Sequence, residues 1–307
     1  MRGPLQRQVT RLLSLLSLAF VSALTVSSCN SQPTSGPEST PFDEIAETDR
    51  DSLGFYLEYP EAYETAIDLG ATVVNLQTKG TYFVFWFPPG FHSQAEKRVL
   101  VMLHGSDGVA YRSLLRMSTV GEEQGFGIVA VQWGWPSSWG EDYVYLDPDD
   151  THEVISTALE YLDQEYGIDE HRSAWDGFSI ASTRCAVHAH IDRLTGTDYF
   201  SFFMAISGGC TATYPPMADL LDGLYGPDPV SGSRYYFWCG TADLDSLRCA
   251  SLWHCATLVE SLGGTIDEFA VADGMEHADY YLEAGRDYQR DAVALWKNAT
   301  SGDQPPR

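Results

Sequence analysis

The chain has 307 residues, with 43 Asp and Glu against 18 Lys and Arg, for a formal charge of −25. A surface this acidic repels phosphate backbones, which excludes nucleic acid as a partner. A hydrophobic share of 44% is enough to build a packed core and excludes a disordered polar chain.

The N-terminus reads as a signal peptide over residues 1–28. Arg2, Arg7 and Arg11 give a positive leader, and Leu12 to Val26 is apolar but short and interrupted by Ser, which suits an export signal better than a membrane span. Val26-Ser27-Ser28-Cys29 reads as a lipobox, with Cys29 the residue to be acylated. Residues 29–41 form a Pro/Ser-rich tether expected to be disordered. Several acyl chains anchor a protein stably where one alone is marginal. Asn30, rather than Asp, follows the Cys, so no inner-membrane retention signal is apparent, and the expected location is the bacterial outer membrane or cell surface. Removing residues 1–28 takes away three Arg and no acid, so the exported chain is more acidic still.

Residues 42–300 read as one domain, followed by a disordered tail at 301–307. Residues 43–70 are expected to be irregular or helical. Ala71 to Leu76, a turn at Lys79-Gly80, and Tyr82 to Phe87 predict an antiparallel hairpin at a sheet edge. Val99 to Leu103 is a continuous apolar run, as in a strand buried on both faces. Helix over Leu114 to Glu123, strand over Ile128 to Val131 and a helical stripe at Val154, Ile155, Ala158, Leu159 and Leu162 follow. Arg172 to Phe178 is a strand, and Ile180 to Leu194 a helix. Strands at Phe202 to Ile206, Tyr235 to Trp238 and Ile266 to Val271 enclose a helix over Leu247 to Leu262, and Asp287 to Lys297 closes the chain as a helix. Such alternation predicts an α/β fold whose mainly parallel sheet is covered on both faces.

Asp176-Gly177-Phe178-Ser179-Ile180-Ala181 carries the chemistry. A Ser on a sharp strand-to-helix turn between small residues is a nucleophile elbow. A Ser hydroxyl is inert at its free pKa and needs a His within hydrogen-bond reach. Of eight His, His277 follows the last strand in Gly274-Met275-Glu276-His277, where such a base would be presented. Trp238-Cys239-Gly240-Thr241-Ala242-Asp243 places Asp243 after a strand to orient that His, with Asp245 the alternative. Leu103-His104-Gly105-Ser106 ends the first buried strand; the N–H groups of Ser106 and Ile180 would form the oxyanion hole, and His104 would brace the loop. The order Ser, Asp, His is that of the α/β-hydrolases.

Leu103-His104-Gly105-Ser106, Asp149-Asp150, Tyr161-Leu162, Tyr166-Gly167-Ile168-Asp169, Arg172 and Gly177-Phe178-Ser179, with the Gly240 to Asp243 and Gly274 to His277 segments, resemble the secreted polyhydroxyalkanoate depolymerase and feruloyl esterase group of α/β-hydrolases. The resemblance covers about residues 80–297. It implies the α/β-hydrolase fold and hydrolysis of a carboxylic ester, polymeric or aromatic, through an acyl-enzyme. Ala181 stands where Gly is usual, and Ser182 where a second Gly is common, which predicts a narrower pocket floor. A serine peptidase of the same fold would carry the same three residues, and an inactive surface-binding lipoprotein would keep the fold alone.

Trp133, Trp135 and Trp139 cluster after the second core strand and are candidates to stack on substrate at the rim of the site. One or two disulfides are expected among Cys210, Cys239, Cys249 and Cys255, with no pairing specified, and Cys185 is expected to be a buried thiol. No cofactor or metal is expected. The chain has no phosphate-cradling loop or dinucleotide fingerprint, and His188-Ala189-His190 places its two His on diverging helix faces.

Overall fold

The apolar runs become strands, and they do so where both of their faces are covered. In the computed structural model, which describes residues 43–44, 60–76, 79–106, 108–136, 143–210, 212 and 214–300, the elements in chain order begin with β1 (Asp43–Glu44), helix α1 (Pro60–Asp68), β2 (Thr72–Leu76), β3 (Thr81–Trp86), β4 (Val99–Leu103), α2 (Ala110–Gln124) and β5 (Gly127–Val131). A short hairpin of β6 (Gly134–Pro136) and β7 (Tyr143–Tyr145) leads to α3 (Pro148–Tyr166), β8 (Ser173–Phe178), α4 (Cys185–Thr195), β9 (Phe200–Ile206) and α5 (Pro215–Leu221). The chain ends with β10 (Arg234–Gly240), α6 (Leu247–Ser261), β11 (Thr265–Ala272) and α7 (Arg286–Thr300). The leader, Cys29, the tether, the tail and Trp139 lie outside the described residues.

The main sheet runs β1-β2-β3-β5-β4-β8-β9-β10-β11. β4, β5, β8, β9, β10 and β11 are parallel, and β1 to β3 form the antiparallel edge. The predicted edge hairpin is therefore present as β2 and β3. The segment expected to be irregular or helical contributes both α1 and the extra edge strand β1.

Every residue of β4 and β5 is buried. Alternate side chains of the sheet feed two separate cores. One is closed by α3, α4, α5 and α6, through residues such as Val154, Leu159, Ala186, Met217 and Leu252. The other is closed by α1, α2 and α7, through Ala66, Leu114, Met117, Val293 and Trp296. A strand that faces two cores has no solvent side, which is why these runs are apolar throughout rather than alternating. α3 starts where the sequence stops it from starting earlier: Asp147 caps it by accepting from the Asp150 N–H at 2.8 Å, and Pro148 takes the first turn. No helix among the described residues is long and apolar enough to cross a membrane.

Two disulfides tie α6 to the ends of its neighbouring strands, Cys210–Cys255 and Cys239–Cys249. They close loops of 45 and 10 residues. Chain entropy makes these worth about 4 and about 3 kcal/mol respectively. Asp243 lies inside the smaller loop. Cys185 is a buried free thiol, pushed up to about 12 by desolvation. Its sulfur lies within 4.8 Å of those of Cys210 and Cys255, the only group of three such ligands among the described residues, but two of its three sulfurs are joined to each other.

Candidate active site

Ser179 occupies a left-handed backbone conformation, φ 54°, directly after β8. A non-glycine residue held there stores about 1–3 kcal/mol and persists only where its surroundings over-determine it. Here they do. The Ser179 N–H donates to the Ile206 carbonyl at 2.8 Å, and its own carbonyl accepts from the Ser182 N–H and hydroxyl at 3.1 and 2.8 Å. A Cβ on Gly177 would lie 2.2 Å from the Trp175 ring and 3.0 Å from the Ala181 backbone, so the turn tolerates only Gly at that point. Ser182 does not narrow a pocket floor as the sequence predicts. It is fully buried, and its hydroxyl braces the elbow.

The structure brings the three predicted side chains together. His277 Nε2 is 2.9 Å from Ser179 Oγ, and His277 Nδ1 is 2.6 Å from Asp243 Oδ2. A carboxylate only accepts hydrogen bonds, so Nδ1 carries the imidazole proton and Nε2 is left to accept from the Ser179 hydroxyl. Asp243 is buried, while the His277 side chain keeps 34% of its exposure, so the pair is dry on the acid side and open on the side of an incoming ligand. The loops that carry the two are zipped together: Thr241 and Ala242 N–H donate to the Ala272 and Met275 carbonyls, each at 2.9 Å, and the Gly274 N–H donates to the Thr241 hydroxyl at 2.8 Å.

The β4 loop runs against the elbow. A Cβ on Gly105 would stand 3.0 Å from Ser179 Cβ and 2.8 Å from the Phe178 ring, so only Gly lets Ser106 follow this close to the Ser179 turn. Ser106 is exposed and borders a small cleft with Gly105, Val109, Arg112, Arg116 and Phe178. Ile180 directly follows Ser179, in right-handed conformation. His104 is wholly buried with Nε2 3.1 Å from Gln132 Nε2, and its backbone carbonyl accepts from Trp133 Nε1 at 3.0 Å. Burial pushes its imidazole down to about 4. It stays neutral and braces the loop.

For Trp133 the expected place at the rim of the site is corrected. Trp133 is fully buried, with the Arg184 guanidinium 4.5 Å over its ring and the Tyr145 ring centroid at 4.6 Å. It has no free face for a ligand; it packs the β4 loop from beneath. Trp135 is half-buried against the core beneath α2, and Trp139 falls outside the described residues. His188 is buried beside Trp175, and the exposed His254 lies on α6; the structure places neither with Ser179.

Sequence reading missed Asp176, Phe178 and Tyr281. The Phe178 ring lies 4.9 Å from the His277 ring and 5.3 Å from that of Tyr281, and the Arg116 guanidinium covers Phe178 and Tyr281 at 4.9 and 5.2 Å. Asp176 is fully buried and accepts from the Tyr281 hydroxyl at 2.6 Å. Desolvation pushes its carboxyl up to about 7, against the opposing pull of Tyr281 and Arg116. Between an unfolded value of about 4 and this folded one, the native state holds a proton that the unfolded chain has released. The group's contribution therefore declines as pH rises from about 4 to about 7, by on the order of 4 kcal/mol, and is level above that. Asp176→Asn, which cannot ionise, is expected to gain stability relative to the wild type across this window in urea unfolding at several pH values. A constant difference between the two proteins from pH 4 to 8 would contradict it.

No protein-family model matches the sequence, and no curated protein matches it. Solved structures do match. A thermophilic, thermostable carboxylesterase from a metagenomic library is 14% identical, with a TM-score of 0.52 over 72% of this chain and 85% of that one. A fungal esterase from Rhizomucor miehei is 12% identical, with a TM-score of 0.55 over 84% and 98%. An α/β-hydrolase from Penicillium is 11% identical, with a TM-score of 0.52 over 76% and 99%. At these identities the likeness is one of fold, and the chain has the α/β-hydrolase fold.

Proposed function

We propose that this protein is a serine hydrolase that cleaves carboxylic esters through an acyl-enzyme. The observation that carries the reading is the continuous hydrogen-bonded series Ser179–His277–Asp243, with the serine held in a left-handed turn at the end of a central strand. His277 Nε2 takes the Ser179 proton as Oγ attacks the ester carbonyl carbon. The N–H groups of Ser106 and Ile180 stabilise the oxyanion as it forms. The tetrahedral intermediate collapses, the carbonyl–alkoxide bond breaks, and the imidazolium returns its proton to the departing alcohol. Water, deprotonated by His277, then attacks the acyl-Ser179 carbonyl; the acyl–Oγ bond breaks, the imidazolium returns its proton to Ser179 Oγ, and the acid leaves. The esterases among the structural neighbours favour an ester over other acyl substrates. The resemblance of its motifs to those of the polyhydroxyalkanoate depolymerase and feruloyl esterase group favours a polymeric or aromatic ester.

The leader and lipobox extend the reading to an exported lipoprotein, anchored through acylated Cys29 at the bacterial outer membrane or cell surface. The deciding experiment offers the purified protein short-chain p-nitrophenyl esters, a feruloyl ester, a hydroxyalkanoate oligomer and a peptide amide. It then maps a fluorophosphonate adduct by mass spectrometry. Turnover of esters with the adduct on Ser179 is expected; an adduct on another residue, or no turnover of any ester, overturns the proposal. Independently, Cys29→Ser is expected to release the protein from the membrane fraction, and unchanged fractionation would refute the anchor.

A further inference from the structure

We propose that Asp176 and Tyr281 are positioning residues, which clip the loop carrying His277 to the strand carrying Ser179. The inference rests on the reading of Ser179 and His277 as nucleophile and base.

His277 sits on an exposed loop after β11, and its side chain retains a third of its exposure. A base on such a loop must be held to within a fraction of an ångström of the serine, since a misplacement of about 1 Å can cost on the order of 10²-fold in rate. The bond to Asp243 holds the imidazole from its Nδ1 side. It does not fix the loop relative to β8. The Tyr281–Asp176 bond does. Tyr281 lies four residues after His277, at the end of the short 3-10 turn Asp279–Tyr281, and Asp176 lies three residues before Ser179 on β8.

The pair therefore forms a second tie parallel to the His277–Ser179 bond, at 2.6 Å and with both side chains buried. Phe178 fills the space between the two ties. Its ring touches His277 on one side and Tyr281 edge-on at 85° on the other, and Arg116 closes both aromatic rings from α2. A buried carboxyl is costly to keep, and its second oxygen, Oδ2, takes no hydrogen bond from the described residues. A purely structural position would be filled more cheaply by an apolar side chain. What the carboxyl supplies here is an acceptor oxygen aimed at Tyr281.

The test compares Tyr281→Phe, Asp176→Ala and Asp176→Asn with the wild type, using a p-nitrophenyl ester and concentrations of competent enzyme fixed by active-site titration. Tyr281→Phe removes one hydroxyl, and Asp176→Ala removes its acceptor. Each is expected to lower kcat by about 10- to 100-fold with KM changed less than about 3-fold, and to slow fluorophosphonate labelling of Ser179 by the same factor. Asp176→Asn keeps the acceptor oxygen and is expected to recover most of the kcat. Because rates are counted per titrated site, a variant that folds poorly still reports on the folded fraction. Wild-type kcat in Tyr281→Phe or Asp176→Ala overturns the clip, as does a loss in Asp176→Asn equal to that in Asp176→Ala. A wild-type protein that neither turns over esters nor labels at Ser179 overturns the esterase reading itself, which separates the two failures.

Discussion

Ser179→Ala and His277→Ala are each expected to lower kcat on ester substrates on the order of 10⁶-fold, and the double variant is expected to be no worse than either alone. The reason is that the two side chains act as one unit. Without His277 the Ser179 hydroxyl has no acceptor at 2.9 Å and keeps its proton; without Ser179 the imidazole has nothing to activate but water. Removing the second partner therefore removes nothing that still works. What remains is the rate supplied by the amides of Ser106 and Ile180 and by substrate binding, typically 10³- to 10⁴-fold over water. KM should change little, because neither side chain binds the ester before attack. Steady-state kinetics of the three variants, with circular dichroism to establish folding, would check it. Losses that multiply in the double variant would show two independent contributions and break the reading of a coupled pair.

The sequence makes the sheet legible for a definite reason. Its parallel strands face two cores, so runs such as Val99 to Leu103 and Ile128 to Val131 carry no polar alternation and stand out from helical periodicity. The grouping of Ser179, Asp243 and His277 is legible because each follows a strand, and in a parallel sheet the chain order of strand ends limits which residues can meet. What sequence misses depends on distant partners. Whether Trp133 faces ligand or core is decided by Arg184 and Tyr145, which arrive from other elements. Cysteine pairing depends on how α6 lies against β9 and β10, which no local pattern encodes. The Asp176–Tyr281 bond joins residues 105 positions apart. Its only trace in the sequence is a lone acid in the short strand Ser173 to Phe178, whose other residues are uncharged.

Asp243→Asn is expected to lower kcat on the order of 10⁴-fold, the loss seen when the orienting aspartate of a serine protease triad is amidated. The change is nearly isosteric, so the mechanism must be electronic. Asp243 Oδ2 lies 2.6 Å from His277 Nδ1 and, as a carboxylate, compels that nitrogen to hold the proton. An amide nitrogen at the same place donates, which drives the proton to Nε2 and leaves no acceptor facing Ser179 Oγ. The amide also withdraws the negative charge that stabilises the imidazolium formed in the transition state. Asp245→Asn should change kcat only slightly, because Asp243 already accepts from the His277 Nδ1–H at 2.6 Å. The comparison is decisive because both aspartates lie in the loop closed by Cys239–Cys249, so damage to that loop alone would affect both variants alike. A crippled Asp245→Asn beside a mild Asp243→Asn would exchange their roles. Equal losses in both would point to loop disruption rather than to a wrong tautomer of His277.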